Sequence, residues 1–499
     1  MNRFACQTAQ PMTQNNPRQR PTLTAISALT LLIAGCASLA PPYEAPTLPV
    51  ASAYANPTAT HGDRAAAFGW RDYFSDPQLQ ALIALALDHN RDLRSAVLRV
   101  EEARATYGIV RAERFPGINA QAGVDRSRTP ADLNLTGQPL IGSQYQVGLG
   151  MSNWEIDFWG RVRSLQDAAL ENYLSTDAAR RAVGIALVEQ VANSYLTLRE
   201  LDERSALARQ TTASHQESVR IYTRRVEVGA TSLLNLTQVQ TLLTQAQALG
   251  VQLELERAAK FNALTLLIGT PIELPPEADW LDDANPLREL RPGLPSELLV
   301  ERPDIVAAEH QLKAANANIG AARAAFFPRV ALTSSLGTAS AELDGLFASG
   351  SHAWIFSPSI SLPIFDGGRL RNNLSLAETR RDLAIANYEK TVQTAFRDVS
   401  DALSARYWLE QQLVIARRTL ATQSERARLS QLRYERGAST YLEILDAQRD
   451  LLSAQQQLVQ TRRALLSSRV GLYAALGGGA IETLATEALP FPTQGTRAQ

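Results

Sequence analysis

The chain has 499 residues, of which 45% are hydrophobic and 20% are charged, and its formal net charge is -1. The near-neutral balance excludes a strongly basic nucleic-acid-binding protein, and the hydrophobic content excludes a disordered chain. Aromatic residues make up only 6% of the sequence. Ala, Leu, Gln, Arg and Glu fill the long middle segments, which favours extended helical packing over a compact α/β core.

The N-terminus has the pattern of a secretory signal peptide. Arg18 and Arg20 precede an apolar run at residues 23–35, which is too short to span a membrane comfortably. We therefore predict a signal peptide over residues 1–35. One interpretation is an ordinary signal peptide followed by an incidental cysteine.

Cys36 directly follows the predicted signal. Residues 33–36 read Ile-Ala-Gly-Cys and resemble the lipobox of bacterial lipoproteins, in which the cysteine is acylated and becomes the mature N-terminus. Because Cys6 lies before that cut, no intrachain disulfide can form in the mature chain. Ala37 rather than Asp follows the cysteine, which by the lipoprotein sorting rule indicates the outer membrane. Residues 36–69 are predicted to form the lipidated N-terminal segment.

Strands are predicted in two hairpins, at about residues 117–156 and 329–365. Apolar and polar residues alternate there with a period of two, which is typical of strands with one apolar face. On the second strand this pattern predicts two opposite sets of side chains. The set facing lipid is Tyr145, Val147, Leu149 and Met151, and the set facing a lumen is Gln144, Gln146 and Ser152.

The apolar face of these strands needs a partner. Two soluble hairpins packed on a helical body are one solution. In lipid, strands can span only as a closed barrel, and four strands are fewer than the roughly eight of the smallest membrane barrels. A barrel would therefore have to be shared between chains.

Long helices follow each hairpin. Residues 162–229 and 370–437 contain no proline, and a helix of that length would extend roughly 100 Å. Partner helices are predicted at 232–268 and 441–476, after turns in which Gly229 and Gly437 can end one helix and Ser or Thr can cap the next. Shorter helices are predicted at residues 77–114 and 303–325.

The two halves of the chain repeat each other. Gly229 aligns with Gly437 and Leu234 with Leu442 when the second half is laid over the first. We predict a first repeat at residues 70–290, a second at 291–479 and a C-terminal tail at 480–499.

Several motifs, in a fixed order, resemble the TolC-type outer-membrane efflux factors of the NodT or OprM lipoprotein group. They are Trp70, Phe74-Ser75-Asp76-Pro77-Gln78-Leu79, Asn90-Arg91-Asp92-Leu93, Phe115-Pro116, Trp154-Glu155-Ile156-Asp157-Phe158-Trp159-Gly160-Arg161, Gly293-Leu294-Pro295-Ser296, Arg302-Pro303-Asp304-Ile305, Pro363-Ile364-Phe365-Asp366-Gly367-Gly368-Arg369 and residues 434–451. The resemblance covers nearly the whole mature chain. It implies a mainly α homotrimer whose four strands per chain form a twelve-stranded barrel in outer-membrane lipid, continued by a long α-helical barrel in the periplasm.

Such channels export drugs and other xenobiotics. The resemblance implies that a periplasmic membrane-fusion adaptor and an inner-membrane resistance-nodulation-division transporter are partners of this passive duct. It implies no cofactor and no nucleic acid. A duct for type I protein secretion, or a structural coiled-coil lipoprotein, are the alternatives.

Glu443, Asp446 and Arg449 lie three residues apart and therefore on one face of the second partner helix. By resemblance, Leu442 and Asp446 narrow the pore at the periplasmic tip, and ion pairs of Arg449 hold neighbouring helices shut. We predict a gate of these four residues. A solvated helix face with local ion pairs is the alternative. Asn235 stands where relatives commonly carry Asp, which leaves open how the first repeat contributes to closure.

Catalysis and metal transport find no support in the sequence. The histidines are scattered without the spacing of metal ligands, no glycine-rich phosphate loop precedes a helix, and no nucleophile motif is present. We predict a protein that is not an enzyme and holds no metal. A copper or silver exporter would be expected to use thioethers, but Met1 and Met12 lie in the signal and only Met151 remains.

Overall fold

The computed structural model describes most of the predicted mature chain. The described residues are 38–51, 53–54, 63–65, 69–277, 287–288, 290–291 and 297–479. Cys36, the signal peptide and the C-terminal tail lie outside them.

The described secondary structure is mainly helical. The helices are α1 (Trp70–Tyr73), α2 (Pro77–His89), α3 (Arg91–Ala112), α4 (Arg161–Glu227), α5 (Leu233–Ile268), α6 (Leu298–Glu301), α7 (Pro303–Ala324), α8 (Arg369–Glu435) and α9 (Tyr441–Ala475). The strands are β1 (Asp63–Arg64), β2 (Asn119–Thr129), β3 (Leu140–Glu155), β4 (Leu290–Arg291), β5 (Arg329–Ser340) and β6 (His352–Ser361). Helices α4 and α8 have 67 residues each. None of the described helices is both long and apolar enough to cross a membrane.

The chain divides into two compact units, and each takes segments from both sequence repeats. The first unit takes in the described residues of Met1–Tyr43, Thr106–Leu170 and Lys313–Arg381, and it contains β2, β3, β5 and β6. The second takes in the described residues of Glu44–Ala105, Glu171–Leu312 and Asp382–Gln499.

The first unit is built on a four-stranded antiparallel sheet with the order β2-β3-β5-β6. Strand register places the apolar residues in rows: Leu149 lies opposite both Ala120 and Leu336, and Leu336 lies opposite Trp354. We call this side of the sheet the apolar face. It carries Ala120, Ala122, Val124, Tyr145, Val147, Leu149, Met151, Val330, Leu332, Leu336, Trp354, Phe356 and Ile360.

The opposite side of the sheet, the polar face, carries Asn119, Gln121, Asp125, Gln144, Gln146, Thr333, Ser335, Ser357 and Ser359, with Ile355 as an apolar exception. The predicted alternation of Tyr145, Val147, Leu149 and Met151 with Gln144 and Gln146 therefore holds. At Ser152 a bulge interrupts the pairing, because the register shifts between Met151 and Trp154, where Asn153 has a φ of 55°. Such a bulge inserts unpaired residues and bends the strand. The lumen-facing orientation of Ser152 stays a prediction.

Two glycines on the polar face bring β3 and β5 close together. Gly148 lies opposite Gly337. A Cβ atom on Gly148 would stand 2.6 Å from the Leu336 carbonyl oxygen, and one on Gly337 would clash with the Val147 carbonyl oxygen. Only glycine fits at either position, because no real Cβ atom approaches backbone so closely.

The second unit shows one departure from the predicted helices. The pattern at residues 77–114 predicts one helix, but the structure has two, separated by Asn90 with an extended ψ of 132°. The Asn90 side-chain oxygen accepts a hydrogen bond from Leu93 N–H at 2.7 Å, and its amide nitrogen donates to the Leu267 carbonyl at 2.7 Å. Asn90 thus caps α3 and ties it to the end of α5, an arrangement that helical periodicity does not reveal.

Buried charges in the second unit are paired. The side chain of Arg199 is fully buried, and its Nη1 lies 3.2 Å from Asp202 Oδ2, while Asp202 Oδ1 accepts from Arg257 Nε at 2.5 Å. Arg199 also lies 3.1 Å from Glu277. Removing one partner of such a cluster would leave an uncompensated buried charge, so these residues fix the packing of α4 against α5.

Candidate functional site

The site begins with two helix-to-helix turns that share one geometry. Gly229 and Gly437 have φ values of 75° and 70°, in the left-handed region that glycine adopts without strain. In the first turn, Ala230 N–H donates to the Arg225 carbonyl at 2.7 Å; in the second, Ala438 N–H donates to the Arg433 carbonyl at 2.9 Å. These bonds satisfy carbonyls at the ends of α4 and α8, so each glycine terminates its helix as predicted.

The caps of the following helices differ. The Ser232 hydroxyl accepts from Asn235 N–H at 3.3 Å and so caps α5, whereas Thr440 makes no side-chain cap for α9. Asn235 Nδ2 donates to the Thr231 hydroxyl at 3.0 Å. The Asn235 amide is therefore engaged within its own turn.

Gly437→Val is expected to lower the free energy of unfolding by about 1–2 kcal/mol, because a side chain in the left-handed region clashes with its own backbone. No neighbour lies within 4 Å of the added Cβ, so the effect tests conformation rather than crowding. Gly437→Asn should cost much less, since Asn tolerates this region. The thermal midpoint of the purified protein measures both. Gly250→Ala, inside α5 and equally uncrowded, is the control and should stabilise by about 0.5–1 kcal/mol. Equal midpoints for Gly437→Val and the wild type would contradict this account.

Aromatic side chains connect the two turns. The Tyr222 and Tyr434 hydroxyls lie 2.7 Å apart, and Arg225 Nη1 donates to the Tyr434 hydroxyl. The ring centroids of Tyr222 and Tyr441 are 4.3 Å apart, and the Arg225 guanidinium lies 5.4 Å from the Tyr222 ring. Burial, followed by the hydrogen bond with Tyr434, raises the pKa of Tyr222 above its ordinary value. Its hydroxyl is neutral, and Arg225 is the charged member of this aromatic cluster.

A small apolar core adjoins the aromatic cluster and shares Tyr222 with it. Tyr222, Leu236, Val239 and Leu445 are buried and pack together. Because they come from α4, α5 and α9, the N-terminal turns of both partner helices rest on the end of the first long helix. The cluster was missed from the sequence, since Tyr222, Tyr434 and Tyr441 occupy positions that do not repeat between the halves.

The four predicted gate residues all lie at the start of α9. Leu442 is 49% exposed. Glu443 Oε2 lies 3.1 Å from Arg433 Nη1 on α8, and Asp446 Oδ1 lies 3.4 Å from Arg449 Nη1 on the same helix. All these charges are well exposed, and such pairs contribute about 0–1 kcal/mol each.

Asp450 was not predicted as a site residue, yet it is the most connected acid here. Its Oδ2 accepts from Arg426 Nη1 of α8 at 2.6 Å, and its Oδ1 lies 3.2 Å from Arg449 Nη2. Within one chain, ion pairs between α8 and α9 near the turn are thus made by Glu443 and Asp450, while the partners of Arg449 lie on its own helix. The sequence signal was the adjacent acid after Arg449.

The pair of Asp450 and Arg426 is expected to be acid-sensitive. The hydrogen bond from Arg426 lowers the pKa of Asp450. A lowered pKa means that the pair stabilises the fold above the ordinary pKa of Asp, about 3.9, and that this contribution disappears as the pH falls through the lower, folded-state value. Asp450→Asn should therefore lower the thermal midpoint at pH 7, by less than about 1 kcal/mol in free energy, and have a smaller effect at pH 3. An equal effect at both pH values would contradict the assignment.

The sequence of this chain matches a known protein family. The outer membrane efflux protein family matches residues 82–270 and again 294–478. The chain is 43% identical over 468 residues to the outer membrane protein OprJ of Pseudomonas aeruginosa, covering 92% of this chain and 97% of OprJ. It is 45% identical over 460 residues to the toluene efflux pump outer membrane protein TtgC of Pseudomonas putida, covering 91% and 95%.

A solved outer-membrane channel has a similar fold. The open state of the Neisseria gonorrhoeae MtrE outer membrane channel superposes with a TM-score of 0.82 at 39% identity, covering 89% of this chain and 99% of that one.

The chain belongs to the outer membrane efflux protein family. The predicted resemblance, the mainly helical fold with a small sheet and the internal repeat are thereby confirmed. The protein is an outer-membrane channel component of the efflux pump class, and its place is the outer membrane. This is a family of channels rather than enzymes, which agrees with the predicted lack of catalysis.

Proposed function

We propose that this chain is the gated outer-membrane duct of a tripartite drug and xenobiotic efflux pump. It forms a homotrimer, takes substrate from an inner-membrane resistance-nodulation-division transporter through a periplasmic membrane-fusion adaptor, and is passive itself. Residues 70–290 and 291–479 supply the two structural repeats of each subunit, and Cys36 supplies a lipid anchor.

The open four-stranded sheet is the observation that supports a homotrimer. Strands β2 and β6 are its two edges, and its apolar face exposes Leu149, Leu336 and Trp354 at 57%, 68% and 73%. In lipid, an edge would leave backbone groups without partners. Pairing β6 of one copy with β2 of the next removes every edge at once, and three copies give twelve strands, within the range of membrane barrels.

The predicted gate follows from the same symmetry. Trimerisation places three copies of each turn around one axis. Leu442 is exposed in the single chain, and Asp446 and Arg449 extend from the same helix start. These residues are therefore the proposed constriction, with the aromatic cluster of Tyr222, Tyr434 and Tyr441 as the rigid support beneath it.

A duct for type I protein secretion is the second candidate, because the transporter rather than the duct selects the cargo. The names of the relatives favour drug and solvent efflux: TtgC is a toluene efflux pump component, and ArpC of Pseudomonas putida is an antibiotic efflux pump component.

Co-purification tests the proposal. The protein, tagged in its native cells and cross-linked before extraction, should bring down an adaptor and a resistance-nodulation-division transporter, and deletion of its gene should lower the minimum inhibitory concentrations of several drugs. An unheated SDS sample should run as a trimer and a boiled one as a monomer. Recovery of an ATP-driven secretion transporter instead would favour type I secretion, and a monomer under every condition would refute the shared barrel.

Lipidation of Cys36 is expected to give a mature protein that begins at this residue and carries three acyl chains. Each buried methylene contributes about 0.8 kcal/mol, so three chains anchor far more firmly than one. Mass spectrometry of the intact protein checks this. An unmodified residue 36, or retention of residues 1–35, would refute it. Cys36→Ser should impair sorting more than conductance, because the apolar face can hold the barrel in lipid on its own.

A further inference from the structure

Two arginines lie on the apolar face of the sheet. Along β2, Arg126 and Arg128 continue the series of Ala122 and Val124, because side chains alternate with a period of two. Register confirms this placement: Val124 lies opposite Tyr145, Arg126 opposite Ser143 and Arg128 opposite Ile141. Both arginines therefore share a face with the residues that meet lipid rather than with the polar face.

The two arginines lie level with one end of the apolar band that an outer-membrane barrel presents to lipid. On β5, apolar-face positions run from Val330 to Ser340, which lies opposite Tyr145. About ten residues at ~3.3 Å each, tilted by about 40°, span about 25 Å, the height of the apolar band of an outer-membrane barrel. Tyr145 and Trp154 stand near the two ends of this span, where aromatic girdles occur. Arg126 is the first apolar-face residue of β2 beyond that band.

Neither guanidinium has an acidic partner among the described residues. Both side chains are exposed, and within the described part of the chain neither Arg126 nor Arg128 takes part in an ion pair or a side-chain hydrogen bond. The nearest acid on the same strand, Asp125, points to the polar face. Pairing with β6 of a neighbouring copy adds no acid from that strand, because β6 reads HAWIFSPSIS and contains no Asp or Glu. Two acids, Glu342 and Asp344, lie in the loop that precedes it.

We propose that Arg126 and Arg128 bind the phosphate groups of anionic glycolipid in the outer leaflet. This inference rests on the proposed trimer, in which the hairpin loops lie at the end of the sheet opposite the helical connections and so face the cell exterior. Three copies give a ring of six guanidiniums just above the hydrocarbon. Guanidinium groups form bidentate, charge-assisted hydrogen bonds with phosphate, and their stems pack along apolar surface.

Binding of bisphosphorylated lipid A to the full-length trimer in dodecyl maltoside tests the proposal. A basic residue near an anionic surface contributes enough that removing two should weaken the affinity about thirtyfold. Arg126→Gln/Arg128→Gln should show this loss, and Arg126→Lys/Arg128→Lys should retain most of the affinity. Arg94→Gln/Arg99→Gln removes two exposed arginines from α3, outside the sheet, and should change nothing.

Unchanged affinity of the Gln variant, or an equal loss in the α3 control, would overturn the proposal. Inorganic phosphate at 10 mM should not displace the lipid, and full displacement would show a free-phosphate site instead. Should the Gln variant fail to assemble, the wild type decides: raising NaCl from 50 to 500 mM must weaken lipid A binding, and salt-independent binding would refute the electrostatic contact. Single-channel conductance should be the same in all assembled variants, which separates this site from the duct.

Discussion

Replacing both Asp446 and Arg449 by Ala is expected to raise single-channel conductance and to admit large antibiotics such as vancomycin. In the proposed trimer, three copies of Asp446 lie around one axis, where like charges attract cations and repel one another. Two unit charges about 4 Å apart interact by roughly 4 kcal/mol at an effective dielectric near 20, and salt at an exposed tip reduces this. Arg449 compensates this repulsion and is the proposed latch between neighbouring helices. Replacing both residues removes the latch and frees the helices to separate.

The contacts of Arg449 sharpen the prediction for single variants. Its guanidinium lies 3.4 Å from Asp446 and 3.2 Å from Asp450. Arg449→Ala alone leaves both acids without this partner and adds repulsion, whereas Asp446→Ala alone leaves Arg449 paired with Asp450. Conductance in planar bilayers should therefore rise more for Arg449→Ala than for Asp446→Ala.

A matched control uses another exposed ion pair. Arg209 and Glu254 lie 2.9 Å apart and join α4 to α5, with both side chains more than half exposed. Replacing both by Ala removes the same charges and should leave conductance and vancomycin sensitivity unchanged. The trimer should survive heating equally well in all variants. Wild-type conductance in the Asp446 and Arg449 double variant would place the constriction elsewhere, with Leu442 and the Gly229 turn as the next candidates.

Periodicity revealed the elements that repeat a simple pattern. The long helices α4 and α8 and the four strands each carry an extended run of one period, so local sequence is enough to predict them. Gly229 and Gly437 could be predicted as helix ends because a left-handed residue needs glycine. The split at Asn90 could not, since its amide is held by Leu267, which is distant in sequence.

Only those parts of the candidate site that depend on local sequence could be predicted. Glu443, Asp446 and Arg449 stand out because their spacing is local. The pairing of Asp450 with Arg426, and the contact of Tyr222 with Tyr434, depend on how helices pack, and no spacing within one helix encodes them. Likewise, the close approach of Gly148 to Gly337 depends on strand register. Gly148→Arg would therefore clash with the backbone of Leu336, although Gly148 lies on the polar face.

Leu149→Arg is expected to destabilise the barrel by about 2–4 kcal/mol, the cost of placing Arg on the lipid face near the bilayer midplane. Leu149 lies in the row of Ala120, Leu336 and Trp354, within the apolar face and away from both of its ends. The Arg side chain cannot reach water there without distorting the bilayer, so fewer trimers should assemble, and those that do should dissociate at a lower temperature on SDS gels.

Gln146→Arg is the matched control for this prediction. Gln146 is three residues away on the same strand, but it lies on the polar face opposite Gly123, where a Cβ would stand 3.6 Å from the Gln146 amide nitrogen. An Arg at this position extends into the water of the lumen and beside a residue without a side chain, so it should change trimer stability by less than about 0.5 kcal/mol. It should lower cation conductance instead, because it adds three positive charges to the pore. Equal destabilisation by both variants would show that the apolar face does not meet lipid, whereas a stable Leu149→Arg trimer would place this row outside the hydrocarbon.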